Sequence, residues 1–174
     1  MKKRSLLLGL SLLTAISPVT LIAGPGHGNE EHSEGFFTRL KNAVFASYGE
    51  QLPFGRVGKS SEVSKKVAIE LNDQFRFSPE EIQVAVGETL QLDFKNTGQM
   101  RHEWVIGTPF EISEHLELMR RFPDMEHDEP HNVHVDPGQS HTLVWQFNRE
   151  GRFEYACLLP GHYEAGMRGF AEVK

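Results

Sequence analysis

From Val67 to the C terminus, apolar and polar positions alternate with a period of two in short runs. Val67, Ile69 and Leu71 form the first run, and Ile82, Val84 and Val86 the next, stopped by Gly87. Leu90, Leu92 and Phe94 follow, ended by Asn96-Thr97-Gly98. Trp104-Val105-Ile106 make a fourth run, and Leu143, Trp145 and Phe147 another after Pro137-Gly138. Phe153 and Tyr155 lead to Cys157, and Phe170 and Val173 lie in a closing strand. Successive strand side chains point to opposite faces, so each run has one face to bury. Short strands at regular spacing with turn residues between them predict an all-β, Greek-key antiparallel sandwich.

Two segments break this rhythm. Residues 111–122 have helical spacing and read as a helix inserted between strands. Phe36, Phe37, Leu40, Val44 and Phe45 also recur at helical spacing and predict a short N-terminal helical arm over Gly35–Tyr48. A polar leader precedes that arm, and a Ser/Lys-rich linker follows it after Pro53, Gly55 and Gly58. The expected organisation is residues 1–23 as a signal peptide, 24–65 as leader, helix and linker, and 66–174 as the domain.

The first segment carries Lys2, Lys3 and Arg4 ahead of an apolar run from Leu6 to Ile22, with Ala23 before the expected cut. That is the build of a secretory signal, and it points to a periplasmic destination. The competing reading, a membrane anchor, fits poorly with a short apolar core that contains Pro18. After cleavage no stable membrane insertion is expected. Taking those three cations from 18 leaves 15 Lys and Arg against 24 Asp and Glu, a net charge of −9. Such a chain repels phosphate backbones, which argues against a nucleic-acid partner.

Cys157 is the single cysteine. An exported thiol with no mate in the chain is either free or committed to a metal. The residues after it read Cys157-Leu-Leu-Pro-Gly-His162-Tyr-Glu-Ala-Gly-Met167. One thiolate, one imidazole and one thioether therefore share a loop shaped by Pro160, Gly161 and Gly166. Copper suits this mix: thiolate favours Cu(I), imidazole serves both oxidation states, and a thioether sits weakly on the axis. A second imidazole is needed, and His102 supplies it at the head of a strand 55 residues upstream. Each residue alone has a plainer reading as packing, but the four occur together at one end of the predicted sandwich. The candidate metal ligands are thus His102, Cys157, His162 and Met167, holding one copper in a mononuclear type 1 site.

The pattern Cys-x4-His-x4-Met, preceded by Gly-x-Phe-x-Tyr-Ala and followed by Arg-Gly-Phe, resembles the ligand loop of the plastocyanin/azurin (cupredoxin) family. Asn96 to Trp104 is similar to that family's strand bearing the first histidine, and Phe77-Ser78-Pro79 and Val86-Gly87-Glu88-Thr89 match its N-terminal hairpin. The resemblance spans roughly Lys66–Lys174 and is closest to exported bacterial copper-tolerance cupredoxins, the CopI-like group. It implies the cupredoxin fold and a redox-active copper. One position departs: the family has Asn directly after the first His, where it ties two ligand loops together, and here Glu103 follows. The flanks of Cys157, Ala156 and Leu158, lack the histidines of a multicopper oxidase, and a single Cys excludes a binuclear centre. No general base or oxyanion hole is signalled, so bond-making catalysis is not expected.

His115, Met119, Met125, His127 and His131 form a second group of soft and borderline donors within the insertion, with His134 beyond them. His115 and Met119 are four residues apart and share a helix face. This group reads either as a second copper site or as packing with solvent-facing histidines. His27 and His32 in the leader are not expected to form a defined site. Two functions fit: copper handling and tolerance, or diffusible electron transfer between redox partners. A monomer is expected in either case, with copper ions and a periplasmic redox protein as the partners.

Overall fold

The computed structural model describes residues 50–125 and 129–174. The expected signal peptide, leader and N-terminal arm, together with His127, lie outside the described residues.

Among the described residues, ten strands form two sheets. In chain order they are β1 (Arg56–Val57), β2 (Lys65–Asn72), β3 (Arg76–Ser78), β4 (Glu81–Val84), β5 (Glu88–Asn96), β6 (His102–Gly107), β7 (Asn132–Val135), β8 (Ser140–Phe147), β9 (Gly151–Ala156) and β10 (Arg168–Val173). One sheet has the order β1-β8-β5-β2-β3 and the other β4-β10-β9-β6-β7. Each strand turns its alternate apolar positions inward. Ile69, Leu71, Leu92, Phe94 and Trp145 of the first sheet thereby meet Ile82, Trp104, Val133, Tyr155 and Val173 of the second in one core. The chain crosses between the sheets after β3, β4, β5, β7 and β8, the crossings of a Greek key.

The pairing differs from the all-antiparallel expectation in two places. β2 runs parallel to β5, with Val67 opposite Leu92, and β10 runs parallel to β4, with Ala171 opposite Ile82. Both pairs join strands separated by a crossing, so no hairpin forces them antiparallel. Part of the stretch read as linker also packs on the sandwich. β1 pairs with β8, and Phe54, 2% exposed, stacks on Trp145 at 5.7 Å between centroids.

The inserted helix, α1, spans Pro109–Arg121. Thr108 caps it with a capping box: Glu111 N–H donates to Thr108 Oγ1, and Thr108 N–H donates to Glu111 Oε2 at 2.9 Å. Pro109 occupies the first turn, where its missing N–H costs nothing, and Arg120 and Arg121 complement the C-terminal end. Ile112, Leu116 and Met119 then pack on Val105 and Ala156, the outward residues of β6 and β9. The helix therefore covers the outer face of the second sheet and leaves the inter-sheet core to the strands.

Candidate metal centre

Residues 157–167 are a loop closed on itself between β9 and β10. Cys157 N–H donates to Met167 O at 3.0 Å, and Met167 N–H donates to His162 O at 3.0 Å. These bonds set the first and last residues of the loop side by side. Gly161 (φ 83°) and Gly166 (φ 101°) take left-handed conformations that a side chain would strain, so the tight return depends on them. Arg76 Nη1 donates to Ala165 O at 2.8 Å and ties the loop to β3.

The loop brings two of its donors to His102. One ring nitrogen each from His102 and His162 and the sulfur of Cys157 lie within 4.8 Å of one another, and among the described residues no other group of three or more such donors does so. Cys157 Sγ is 3.2 Å from His162 Nδ1. His102 and Cys157 are fully buried, whereas His162 is half-buried at the surface. Met167 is buried in the same core cluster as Cys157. Phe75, itself at φ 58°, sets its ring edge-on against His162 at 4.8 Å and His102 at 6.5 Å, shielding both imidazoles.

The orientation of His102 is fixed by a residue that the sequence reading missed. Asp73, in the turn between β2 and β3, sits 3.0 Å from His102 Nε2. It also accepts from the N–H groups of Gln99 at 2.6 Å and Met100 at 3.3 Å. The Gln99 amide, followed by the His102 contact, holds the Asp73 carboxyl below its usual range against the cost of burial. An ionised carboxylate only accepts, so Nε2 carries the proton and the Nδ1 lone pair is left to ligate. That Nδ1 is buried with no hydrogen-bond partner. A buried nitrogen in this state costs stability unless something else occupies its lone pair, and a metal ion does so. Asn96 secures the same loop from inside. Its Nδ2 donates to Met100 O and Val135 O, both at 2.8 Å, and its Oδ1 accepts from Gly98 N–H at 2.9 Å.

Glu103 answers the question its position raised. Its carboxylate is fully buried, and Oε2 accepts from Leu158 N–H at 3.0 Å. Its own N–H donates to Cys157 Sγ at 3.3 Å. Glu103 thus joins the His102 strand to the Cys157 loop by side chain and main chain together. Asn132 Nδ2 donates to its Oε1 at 2.7 Å, and His134 Nε2 lies 3.4 Å from the same oxygen. Burial raises the Glu103 pKa, but His134, Asn132 and the Leu158 amide outweigh it, and the net shift is downward.

Burial, followed by the nearby Glu103 charge, pushes the Cys157 thiol up to about 12. Without metal the sulfur is therefore a thiol, and a thiolate-seeking ion must displace its proton. Burial, followed by repulsion from His102, pulls His162 down, which favours the neutral ligating form. The set of one thiolate sulfur, two imidazole nitrogens and a buried thioether fits copper.

Of the second group of donors, His115, Met119, Met125 and His131 fall among the described residues, and His127 does not. Met119 is buried against Val105, Leu116 and Leu158, with Met125 partly buried on the same apolar cluster. His115 sits half-buried on α1, near enough to Glu103 for its charge to favour that carboxylate. His131 is seated elsewhere, 5.1 Å from the Phe54 ring and 6.3 Å from Trp145, with Nε2 3.7 Å from Glu129.

Known proteins place these features in context. The family model for copper binding proteins of the plastocyanin/azurin family matches residues 63–174. The copper-resistant cuproprotein CopI of Rubrivivax gelatinosus is 37% identical over 174 residues, covering 100% of both chains. The protein of the same name from Pseudomonas aeruginosa is 31% identical over 150 residues, 70% of this chain and 82% of its own. Among solved structures, the dithionite-reduced auracyanin of Roseiflexus castenholzii shares the fold, with a TM-score of 0.55 at 24% identity over 64% of this chain and 98% of its own. Its sandwich, its copper-type donor set and these matches together make the chain a member of the plastocyanin/azurin family of copper-binding proteins.

Proposed function

We propose that this protein is an exported, periplasmic type 1 copper protein acting in copper tolerance. In this reading His102, Cys157 and His162 would hold the copper, with Met167 as a further, weaker donor. The observation that carries the assignment is the buried Nδ1 of His102. It has no hydrogen-bond partner, Asp73 orients its ring, and one nitrogen of that ring belongs to the same small cluster as Cys157 Sγ and the His162 ring. Bound copper supplies a one-electron Cu(II)/Cu(I) couple. The chain's own part is to hold the ligands still: the loop is closed by its own hydrogen bonds, the His102 strand is braced by Asn96, and Glu103 locks the two together. Little has to move when the charge changes. The role in tolerance is supported by the copper-resistant relatives, which this chain matches over its full length.

The experiment is growth at toxic copper. A strain lacking the protein should be copper-sensitive, the wild-type gene should restore growth, and Cys157→Ser should not. Restoration by Cys157→Ser would sever tolerance from this site. A second reading, diffusible electron carriage, is favoured by His162, which is only half-buried where His102 and Cys157 are fully buried. It predicts a loss of respiratory or photosynthetic electron flux in the same strain at copper levels that are not toxic.

A further inference from the structure

The carboxylate behind the copper loop is more than a brace. We propose that Glu103 places a permanent negative charge beside the site and thereby holds bound copper toward Cu(II). The inference rests on the type 1 assignment and concerns what this chain's departure from Asn does to such a site.

Three observations carry it. Glu103 adjoins His102 in sequence, and its main-chain N–H touches the Cys157 sulfur at 3.3 Å. Its carboxylate reaches Leu158, the residue after Cys157, at 3.0 Å. One side chain thus lies against two of the ligand-bearing segments. Second, the side chain is fully buried, so water does not screen it. Third, its two oxygens meet donors or a ring nitrogen able to donate: the Leu158 amide, Asn132 Nδ2 and His134 Nε2. These hydrogen bonds favour the ionised form.

The consequence is electrostatic. Cu(II) carries one more positive charge than Cu(I), so a buried anion nearby stabilises the oxidised site more than the reduced one. A neutral Asn could serve as the tie but would lack this term. The fold also makes the charge tolerable. Asn132 and His134 belong to β7, so the strand after the inserted helix supplies the partners that a buried carboxylate needs.

The direct test is Glu103→Gln, which keeps shape and removes charge. The variant has a way to remain satisfied. Asn132 Oδ1 is buried with no hydrogen-bond partner, so turning that amide presents an acceptor to the new Gln nitrogen, while the Gln oxygen takes the Leu158 amide. Two measurements are made on copper-loaded full-length protein: the visible spectrum, and the Cu(II)/Cu(I) ratio in a redox titration. Hydrogen exchange at the Leu158 amide in the metal-free protein checks that the tie survives.

Glu103→Gln should keep the sulfur-to-copper band and Leu158 protection. Its Cu(II)/Cu(I) ratio at a fixed potential should fall at least tenfold, a rise in potential of about 59 mV or more. Glu103→Asp and Glu103→Asn form a second pair, matched in length and differing in charge. Asn should move with Gln, and Asp should stay nearer to wild type. If Gln or Asn leaves the ratio within twofold of wild type, or if Asp and Asn shift it equally, the charge does not set the potential and the proposal fails. Should Gln not hold copper, the Asp/Asn pair decides alone. A wild type with no sulfur-to-copper band would instead overturn the type 1 assignment itself, so the two failures are distinct.

Discussion

Asp73→Asn removes one charge and leaves the shape of the turn between β2 and β3 unchanged. In the wild type, Asp73 Oδ2 accepts from Gln99 N–H at 2.6 Å, while Oδ1 faces both Met100 N–H at 3.3 Å and His102 Nε2 at 3.0 Å. An Asn has one oxygen to offer. If it keeps Gln99, its amide nitrogen faces Nε2 and donates there, so the imidazole proton moves to Nδ1, the atom proposed to ligate. If it turns to keep His102, the Gln99 amide loses its acceptor and the 98–101 loop loosens. Either outcome removes the support that orients a ligand, and losing such a partner typically costs 10–100-fold in metal affinity. The assay is Cu(II) competition against a chelator of known affinity, with circular dichroism to show that the sandwich is intact. A folded Asp73→Asn protein that binds copper within twofold of wild type would refute the claim that Asp73 selects the His102 tautomer.

Three further outcomes follow from the same geometry. Met167→Leu should retain copper and raise the reduction potential, because a weak axial donor that favours Cu(II) is lost; the metal-free protein should lose less than about 1.5 kcal/mol of stability, as for other volume-conserving swaps. Redox titration and chemical denaturation check both parts. Burial, helped by Glu103, pushes Glu129 up to about 7 from an ordinary 4.5, so the folded state holds this proton where the unfolded state releases it. Wild-type stability should therefore fall between about pH 5 and pH 8, by at most about 3 kcal/mol, and Glu129→Gln should flatten that fall in urea unfolding curves. Met119→Ala should cost about 2–5 kcal/mol by emptying the apolar cluster under α1, whereas Met119→Leu should cost under about 1.5 kcal/mol and leave the copper per chain unchanged in metal analysis.

The parts of this molecule that were legible in the sequence are those that local physics writes there. Period-two alternation marks the strands because each has one face to bury, and the copper loop is visible because three donors lie within eleven residues, Cys157 to Met167. Thr108, Pro109 and Glu111 likewise announce the start of α1, two residues ahead of the helical run read from apolar spacing. Contacts made across the sandwich were not legible. Asp73 lies 29 residues before His102 in a segment that reads simply as a polar turn, and nothing in its neighbours reveals what it will face. Glu103 stood out only as a departure from Asn; its partners Asn132 and Leu158 are 29 and 55 residues away. The parallel pairings of β2 with β5 and β4 with β10 were invisible for a related reason: alternation tells a strand which face to bury but not which neighbour to choose. In the insertion, composition gathers His and Met but does not show that Met119 lies in an apolar cluster under the helix or that His131 lies beside Phe54.

The central claim is that His102, Cys157 and His162 converge on one copper with Cys157 as the thiolate. Visible absorption of the Cu(II)-loaded protein, wild type beside Cys157→Ser, tests it most directly. The account predicts an intense sulfur-to-copper charge-transfer band in the wild type at one copper per chain, and no such band in Cys157→Ser. A wild type that binds copper without that band, or a Ser variant that keeps it, would contradict the assignment.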